Sequence, residues 1–187
     1  TERCPKPLLE VGHQPVLETI IKSFMEYGFH RFLISVNFQS EMIENYFQDG
    51  QQWGVSIEYL REKEALGTAG ALSLLSELPE LPLIVMNGDL LTKLNFRSLL
   101  EFHERQDALI TMCVRDYDFQ VPYGVVNLDG TYASTLVEKP VYKFFVNAGV
   151  YVISPKILAS IPKNQFYNMT DVISPLLEQK KVASFPI

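Results

Sequence analysis

Three short stretches hold residue types that could do chemistry together. Lys6 stands between Pro5 and Pro7, and prolines on either side fix the backbone and keep it from turning helical. A lysine on so stiff a loop is a fixed cation for a phosphate, though an ordinary solvated lysine in a proline turn fits the same pattern. In "VMNGD" (85–89) an apolar run ends on Asn87, Gly88 and Asp89. Gly88 permits close backbone approach and Asp89 offers hard oxygen ligands for Mg²⁺; the other reading of Asp89 is a turn or helix cap. In "KEALGTAGAL" (63–72) Gly67 and Thr68 occupy a loop-to-helix junction, where small residues let a flat or charged ligand reach main-chain N–H groups. Glu62 and Glu64 lie just upstream, placed to accept from donors on such a ligand. A packing glycine pair, where a helix crosses a sheet, is the competing explanation.

Further polar residues interrupt strands in the second half: Tyr123 and Gly124 in "VPYGVV", Glu138 and Lys139 in "VEKP", Asn147 and Gly149 in "VNAGVY". Burying Glu138, Lys139 and Asn147 without partners would cost several kcal/mol, so they are expected either to pair with one another or to face a polar ligand such as a polyol. A surface Glu138–Lys139 pair is the alternative.

The elements that must position these groups follow from hydrophobic periodicity. Val16, Ile20 and Phe24 recur at spacing four before Gly28, which predicts an amphipathic helix with a glycine stop. "FLISVN" (32–37) reads as a strand, "SEMIENYF" (40–47) as a helix that Ser40 can cap, "VSIEYL" (55–60) as a strand and "TAGALSLLSEL" (68–78) as a helix. "LPLIVMNGD" (81–89) reads as a buried strand, "NFRSLLEFHERQ" (95–106) as a helix capped by Asn95, and "ALITMCVR" (108–115) as a further strand. Alternating strands and helices argue for an α/β fold whose sheet has a mostly parallel core covered by helices on both faces, with ligands beyond the strand ends. From residue 123 the strands come closer together, and "LDGT" (128–131) marks a hairpin turn. A mixed-sheet extension is therefore expected.

Composition bounds the function. With 187 residues and 47% hydrophobic content, one domain over 1–187 with a sizeable core is the simplest reading. Twenty-two acidic against 16 basic residues give a net charge of −6, which argues against nucleic acid or an anionic membrane as the main partner. No apolar run approaches a membrane span. Two cysteines, Cys4 and Cys113, form no disulfide or zinc framework, so a cytoplasmic setting is expected. Both ends read as cut, without a first strand before Pro5 and with nothing after the final strand at 182–187.

Taken in order, "PKPLL", "LGTAGAL", "NGD", "YGVV", "EKP" and "VNAGVY" resemble the sugar-1-phosphate nucleotidyltransferases, from about Pro5 to the end. The likeness is nearest to the GDP-mannose pyrophosphorylase-like branch. "VNFQSEMIENYF", "YLREKEALGTAGALSLL", "MNGDLLTKLNF" and "VPYGVV" resemble the bacterial glucosamine-1-phosphate guanylyltransferases of legionaminic acid biosynthesis, which often carry N-terminal CBS domains. The resemblance implies a Rossmann-like mixed sheet with a nucleotide-binding half at about 1–115 and a sugar-phosphate-binding half at about 116–187. It implies transfer of a nucleotidyl group, GMP from GTP, to a sugar-1-phosphate, with Mg²⁺ as cofactor and room for a homo-oligomer. Lys6 then serves the reacting phosphates and Asp89 binds the metal. Glu62, Gly67, Thr68 and Gly88 line the nucleotide site, while Tyr123, Gly124, Glu138, Lys139, Asn147, Gly149 and Thr170 hold the sugar phosphate. The family's glycine-rich loop, with its arginine, belongs before Pro5, and its second metal-binding aspartate after Ile187. Two other readings stay open: a non-catalytic relative that binds nucleotide or sugar phosphate and regulates a partner, and a glycosyltransferase, for which "NGD" supplies one carboxylate where a D-x-D motif is usual.

Overall fold

The computed structural model describes residues 4–187; the first three residues of the expected 1–187 domain lie outside the described residues. After a 3-10 turn at Lys6–Leu8, two short antiparallel strands, β1 (Glu10–Val11) and β2 (Gln14–Pro15), lead into helix α1 (Val16–Glu26). The apolar spacing of α1 buries Val16, Leu17, Ile20, Ile21 and Phe24. Its stop is the expected one, for Gly28 has φ of +87°, a left-handed turn that glycine takes without a Cβ penalty.

Strands β3 (Arg31–Val36) and β4 (Ser56–Arg61) pair in parallel across helix α2 (Ser40–Phe47). Ser40 does not cap α2: the chain turns one residue earlier, Gln39 takes the cap position in a left-handed conformation, and the Ser40 N–H bonds Asn37 O at 3.3 Å. Nor does the helix expected over 68–78 form. A single turn, α3 (Gly67–Gly70), tightens into a 3-10 segment at Ala71–Leu74 and ends with Leu75 extended. Two glycines weaken that helix, and Pro79 and Pro82 bias the residues before them away from helical geometry.

Strand β5 (Leu83–Met86) precedes helix α4 (Phe96–Arg105), where the Asn95 side chain accepts from the Ser98 N–H at 3.0 Å as the expected cap. Then follow β6 (Ile110–Gln120), β7 (Val125–Asp129), β8 (Tyr132–Val137), β9 (Val141–Ile153), α5 (Pro155–Leu158), α6 (Met169–Leu177) and β10 (Val182–Pro186). The turn between β7 and β8 is Gly130–Thr131, with Asp129 paired to Tyr132 and Gly130 at φ +60°, the positive φ a two-residue hairpin loop requires.

The main sheet has the order β10-β6-β9-β5. β10 runs parallel to β6, and β9 runs antiparallel to both of its neighbours. The sheet is mixed, and alternation along β9 covers both of its faces. Val150 and Val152 share a cluster with Phe96, Cys113 and residues of α1, while Tyr151 and Ile153 share another with Ile110, Leu158, Met169 and Ile173. Burial pushes the Cys113 thiol up to about 12, which leaves it an inert core group. A third cluster joins Leu17 and Ile21 to Ile43, Phe47, Val36 and Ile57.

Among the described residues β3 bonds only to β4, and β5 only to β9. A cleft of about 1180 Å³ is lined by Phe32–Ser35 on one side and Leu83–Met86 on the other. β5, read from the sequence as a buried strand, is therefore half-buried throughout.

Candidate active site

The larger cleft brings together Lys6, Gly67, Thr68, Gly88 and Asp89. Lys6 Nζ lies 3.9 Å from Asp89 Oδ2, and the two side chains are 66% and 48% exposed. An ion pair this long and wet adds little stability, so both groups remain available to a ligand. The backbone beneath Lys6 is fixed: Leu8 N–H bonds Pro5 O at 2.9 Å, Leu9 N–H bonds Lys6 O at 3.0 Å, and Val16 N–H bonds Leu9 O at 2.9 Å, tying the loop to α1. α1 is in turn stapled to α2. The Glu18 carboxylate accepts from Lys22 at 2.6 Å and from the Tyr46 hydroxyl at 2.6 Å. Burial pushes Glu18 up, but these hydrogen bonds outweigh it and hold the carboxyl below its usual value. The same bond, with burial, pushes Tyr46 up to about 12.

Glu62 is half-buried just after β4 and does not line the cleft. Its Oε2 accepts from the Leu66 N–H at 2.8 Å, closing the loop that leads to Gly67. Gly67 and Gly70 answer to packing: a Cβ on Gly67 would lie 2.7 Å from Tyr167 O, and one on Gly70 2.6 Å from Gln165 O. The glycines do pack closely, but against the 165–167 segment rather than where a helix crosses a sheet, and Gly67 and the exposed Thr68 also border the cleft.

A smaller cleft of about 400 Å³ adjoins the first through Asn87 and is lined by Asn147, Gly149, Arg115, Tyr151 and Ile187 among others. Asn147 is paired within its own strand: Oδ1 accepts from the Gly149 N–H at 2.9 Å, and Nδ2 donates to the Tyr151 hydroxyl at 2.6 Å. Gly149 has φ of +72°, and a Cβ there would lie 3.0 Å from Asn87 Nδ2. Arg115 was missed by sequence reasoning; the signal was available in a cation that breaks the apolar run of β6, opposite Val146.

Tyr123, Gly124, Glu138 and Lys139 come together elsewhere, at the base of the β7–β8 hairpin. The Lys139 N–H bonds Tyr123 O at 3.2 Å, and a Cβ on Gly124 would lie 3.0 Å from Glu138 Oε2. All four are exposed and none lines either cleft. The expected cost of burying Glu138 and Lys139 therefore does not arise, because the hairpin leaves both in water. Thr170, at the start of α6, is likewise exposed and outside both clefts. Among the described residues Asp89 belongs to no group of three or more His, Cys, Asp or Glu side chains that could hold a metal ion. Among the described residues no helix is long and apolar enough to cross a membrane.

The sequence profile of the nucleotidyl transferase family matches residues 1–186. The chain belongs to that family. It is 33% identical over 197 residues to a mannose-1-phosphate guanyltransferase of Pichia angusta, with 100% of this chain and 54% of the relative covered. It is 29% identical over 196 residues to a UTP–glucose-1-phosphate uridylyltransferase of Synechocystis, covering 95% of this chain and 50% of the relative. The chain thus spans about half the length of these nucleotidyl transferases. A solved putative glucose-1-phosphate thymidylyltransferase of Bacillus anthracis, in complex with a sucrose, superposes with a TM-score of 0.77 at 20% identity. It covers 100% of this chain and 80% of that one, and shows a shared fold.

Proposed function

We propose that this nucleotidyl transferase transfers GMP from GTP to a sugar-1-phosphate, giving a nucleotide-sugar and pyrophosphate. The observation that carries the reading is the convergence of Lys6 and Asp89, 3.9 Å apart, at a cleft that Gly67, Thr68 and Gly88 also line. A 33% identical relative named as a guanyltransferase supports GTP as the donor. In the reaction an oxygen of the sugar phosphate attacks the α-phosphorus; a P–O bond forms there as the bond to the β-phosphate oxygen breaks, and pyrophosphate leaves with the electron pair. No protein nucleophile is required. Lys6 neutralises charge on the reacting phosphates, and the stiffness of its loop keeps it in place as that charge moves.

One exposed carboxylate suits Mg²⁺, which binds through one or two carboxylates together with substrate phosphates. Asp89 would hold it, and bound Mg²⁺ supplies further charge neutralisation at the phosphates. We assign the guanine edge to Glu62, which stands outside the cleft lining at the foot of the Gly67–Thr68 loop and would accept from a base that reaches past that rim. Within a single domain we assign residues about 1–115 to the nucleotide. To the sugar phosphate we assign about 116–187, with Asn147 and Gly149 at the smaller cleft and Tyr123, Gly124, Glu138, Lys139 and Thr170 closing from the hairpin and α6. We place the reaction in the cytoplasm, consistent with the free thiols of Cys4 and Cys113.

The test is pyrophosphate release by the full-length protein, with GTP, UTP, dTTP, CTP and ATP each offered with mannose, glucosamine and glucose 1-phosphates. GTP with a sugar phosphate should give pyrophosphate, dependent on Mg²⁺ and on acceptor. Tight nucleotide binding without release under any pairing would instead support a non-catalytic binding role.

A further inference from the structure

The loop Leu66–Gly70 and the segment Tyr167–Met169 lie about a hundred residues apart in sequence and are bonded as one unit. The Tyr167 N–H bonds Leu66 O at 2.8 Å, and the Ala69 and Gly70 N–H groups both bond Tyr167 O at 3.0 Å. The side chains then exchange caps. The Thr68 hydroxyl accepts from the Met169 N–H at 2.8 Å, at the first turn of α6. Asn168 Oδ1 accepts from the Thr68 N–H at 3.3 Å, and the Asn168 side chain also accepts the Asp171 N–H in the capping box of α6. One side chain thus holds the start of a helix and the rim of the larger cleft at once.

The helix so held shares a core cluster with Tyr151, which lines the smaller cleft. Met169, Val172 and Ile173 share an apolar cluster with Ala69 of the loop and with Tyr151 of β9, and the Tyr151 hydroxyl holds Asn147 at 2.6 Å. Close packing leaves little room for the loop to move alone. With no Cβ, Gly67 and Gly70 sit directly against the 165–167 backbone, and tightly packed elements shift together.

We propose that Asn168 is a positioning residue that couples the two clefts: a nucleotide seated against Thr68 shifts the loop and α6 together, and Tyr151 carries the shift to Asn147, so the sugar phosphate then binds more tightly, and the reverse holds by linkage. The inference rests on the substrate assignment above and adds a thermodynamic link to it. Neither substrate needs to touch Asn168.

Three variants of the full-length protein separate latch from cap. Asn168→Ser keeps a helix cap but is too short to reach the Thr68 N–H; Asn168→Asp keeps an acceptor at the same reach; Asn168→Ala removes both contacts. Without ligand, amide hydrogen exchange at Thr68, Ala69 and Gly70 should rise about tenfold in Asn168→Ser and stay near wild type in Asn168→Asp. Affinity for the α,β-methylene analogue of GTP, which cannot release pyrophosphate, is then measured with and without saturating mannose 1-phosphate. The wild type should bind it on the order of tenfold more tightly with the sugar phosphate present, within the usual range of such couplings. Asn168→Ser should abolish that ratio while melting like the wild type, and Asn168→Asp should restore it. Unchanged exchange in Asn168→Ser, or an unchanged ratio, overturns the coupling and leaves the proposed reaction standing. Failure of the wild type to bind the analogue overturns the proposed reaction, and the coupling with it.

Discussion

The rim of the larger cleft and the β7–β8 hairpin carry candidate groups of similar chemistry on opposite kinds of support. Lys6, Gly67 and Asp89 stand on segments bonded to α1, to the 165–169 backbone and to β9, beside clusters whose central residues are fully buried. Tyr123, Glu138 and Lys139 stand on a two-stranded hairpin whose own apolar residues face water, with Leu128 69%, Tyr132 80% and Leu136 70% exposed. An isolated two-stranded ribbon is marginal by itself, and an exposed apolar surface of this kind marks a contact site. The contrast teaches that the rim of the larger cleft is held by packing and bonds from several elements, while the hairpin is held by little beyond its own strand pairing. Substitutions on the first should act through chemistry or folding, and those on the second mainly through binding.

The sharpest test of the framed side is Asp89→Asn. Asp89 is exposed and its ion pair to Lys6 is loose, so the melting temperature should hardly change. Turnover should fall about 10²–10³-fold, the range for removing one electrostatic stabiliser, and Lys6→Ala should match it. An Asp89→Asn protein that unfolds, with its residual activity still responding to Mg²⁺, would mean that the carboxylate served as a turn cap.

Next in size is a pair of alanine substitutions at glycines of like backbone geometry. Gly67 has φ of +77° and Gly130 of +60°, so Ala costs each about 1–2 kcal/mol from backbone strain. Gly67 adds a Cβ 2.7 Å from Tyr167 O and 2.9 Å from Asn168 Oδ1, whereas at Gly130 nothing lies within 4 Å. Gly67→Ala should therefore lose roughly 3 kcal/mol or more in denaturant unfolding and Gly130→Ala roughly 1. Equal losses would erase the distinction between framed and free-standing regions.

What the sequence revealed divides along the same line. α1 and α4 were legible because apolar spacing, Gly28 and the Asn95 cap act within a few residues. The ordered motifs were legible too, and Lys6 and Asp89 do meet. The tie between Gly67–Gly70 and Tyr167–Met169 was not, since two backbones far apart in sequence leave no local mark except two glycines that look like a loop. The long helix read over 68–78 failed for a local reason: the apolar pattern continued while glycine and proline geometry ended the helix. Exposure of Glu138 and Lys139 was hidden because alternation shows which residues share a face, not whether anything covers it. Arg115 went unremarked because its cleft is assembled from the loop after β5, from β6 and from β9 together.

A smaller effect should come from Glu62→Gln, which probes base choice at the framed side. A carboxylate only accepts, and guanine presents two adjacent donors, N1–H and the exocyclic amine. Uracil and thymine present a lone N–H between acceptors, better matched by an amide that both donates and accepts. GTP should be preferred by about tenfold or more in kcat/KM, and Glu62→Gln should shift that preference toward UTP or dTTP. Since Glu62 Oε2 also accepts from the Leu66 N–H, a bond that glutamine's oxygen can keep, the variant should retain its fold. Competition among the five nucleotides decides it: equal use of GTP and UTP by the wild type, or no shift in the variant, would remove Glu62 from base recognition.

The smallest effect concerns the frame alone and appears as a pH dependence. His103 of α4 is buried, with Nδ1 2.8 Å from the Thr111 hydroxyl and Nε2 3.1 Å from the Ser154 hydroxyl. A neutral ring donates to one of these hydroxyls and accepts from the other. Protonation would place a charge on a ring that lies beside the fully buried Thr111. Burial accordingly lowers the His103 pKa, with nearby Glu104 opposing the shift only in part. The sign follows from linkage: the unfolded chain takes up the proton first, so this stabilisation is complete above the unfolded value near about 6.5 and is lost as pH falls from there through the folded value. The other two histidines, His13 and His30, are exposed. Denaturant midpoints measured from pH 7.5 down to 5.5 should fall in the wild type and fall less in His103→Gln, which keeps hydrogen-bonding atoms but does not titrate. The hairpin contains no histidine, so Gly130→Ala should lower the midpoint without changing its pH slope. A wild-type midpoint that rises on acidification, or a His103→Gln slope as steep as the wild type's, would show that the acid sensitivity of the frame comes from another group.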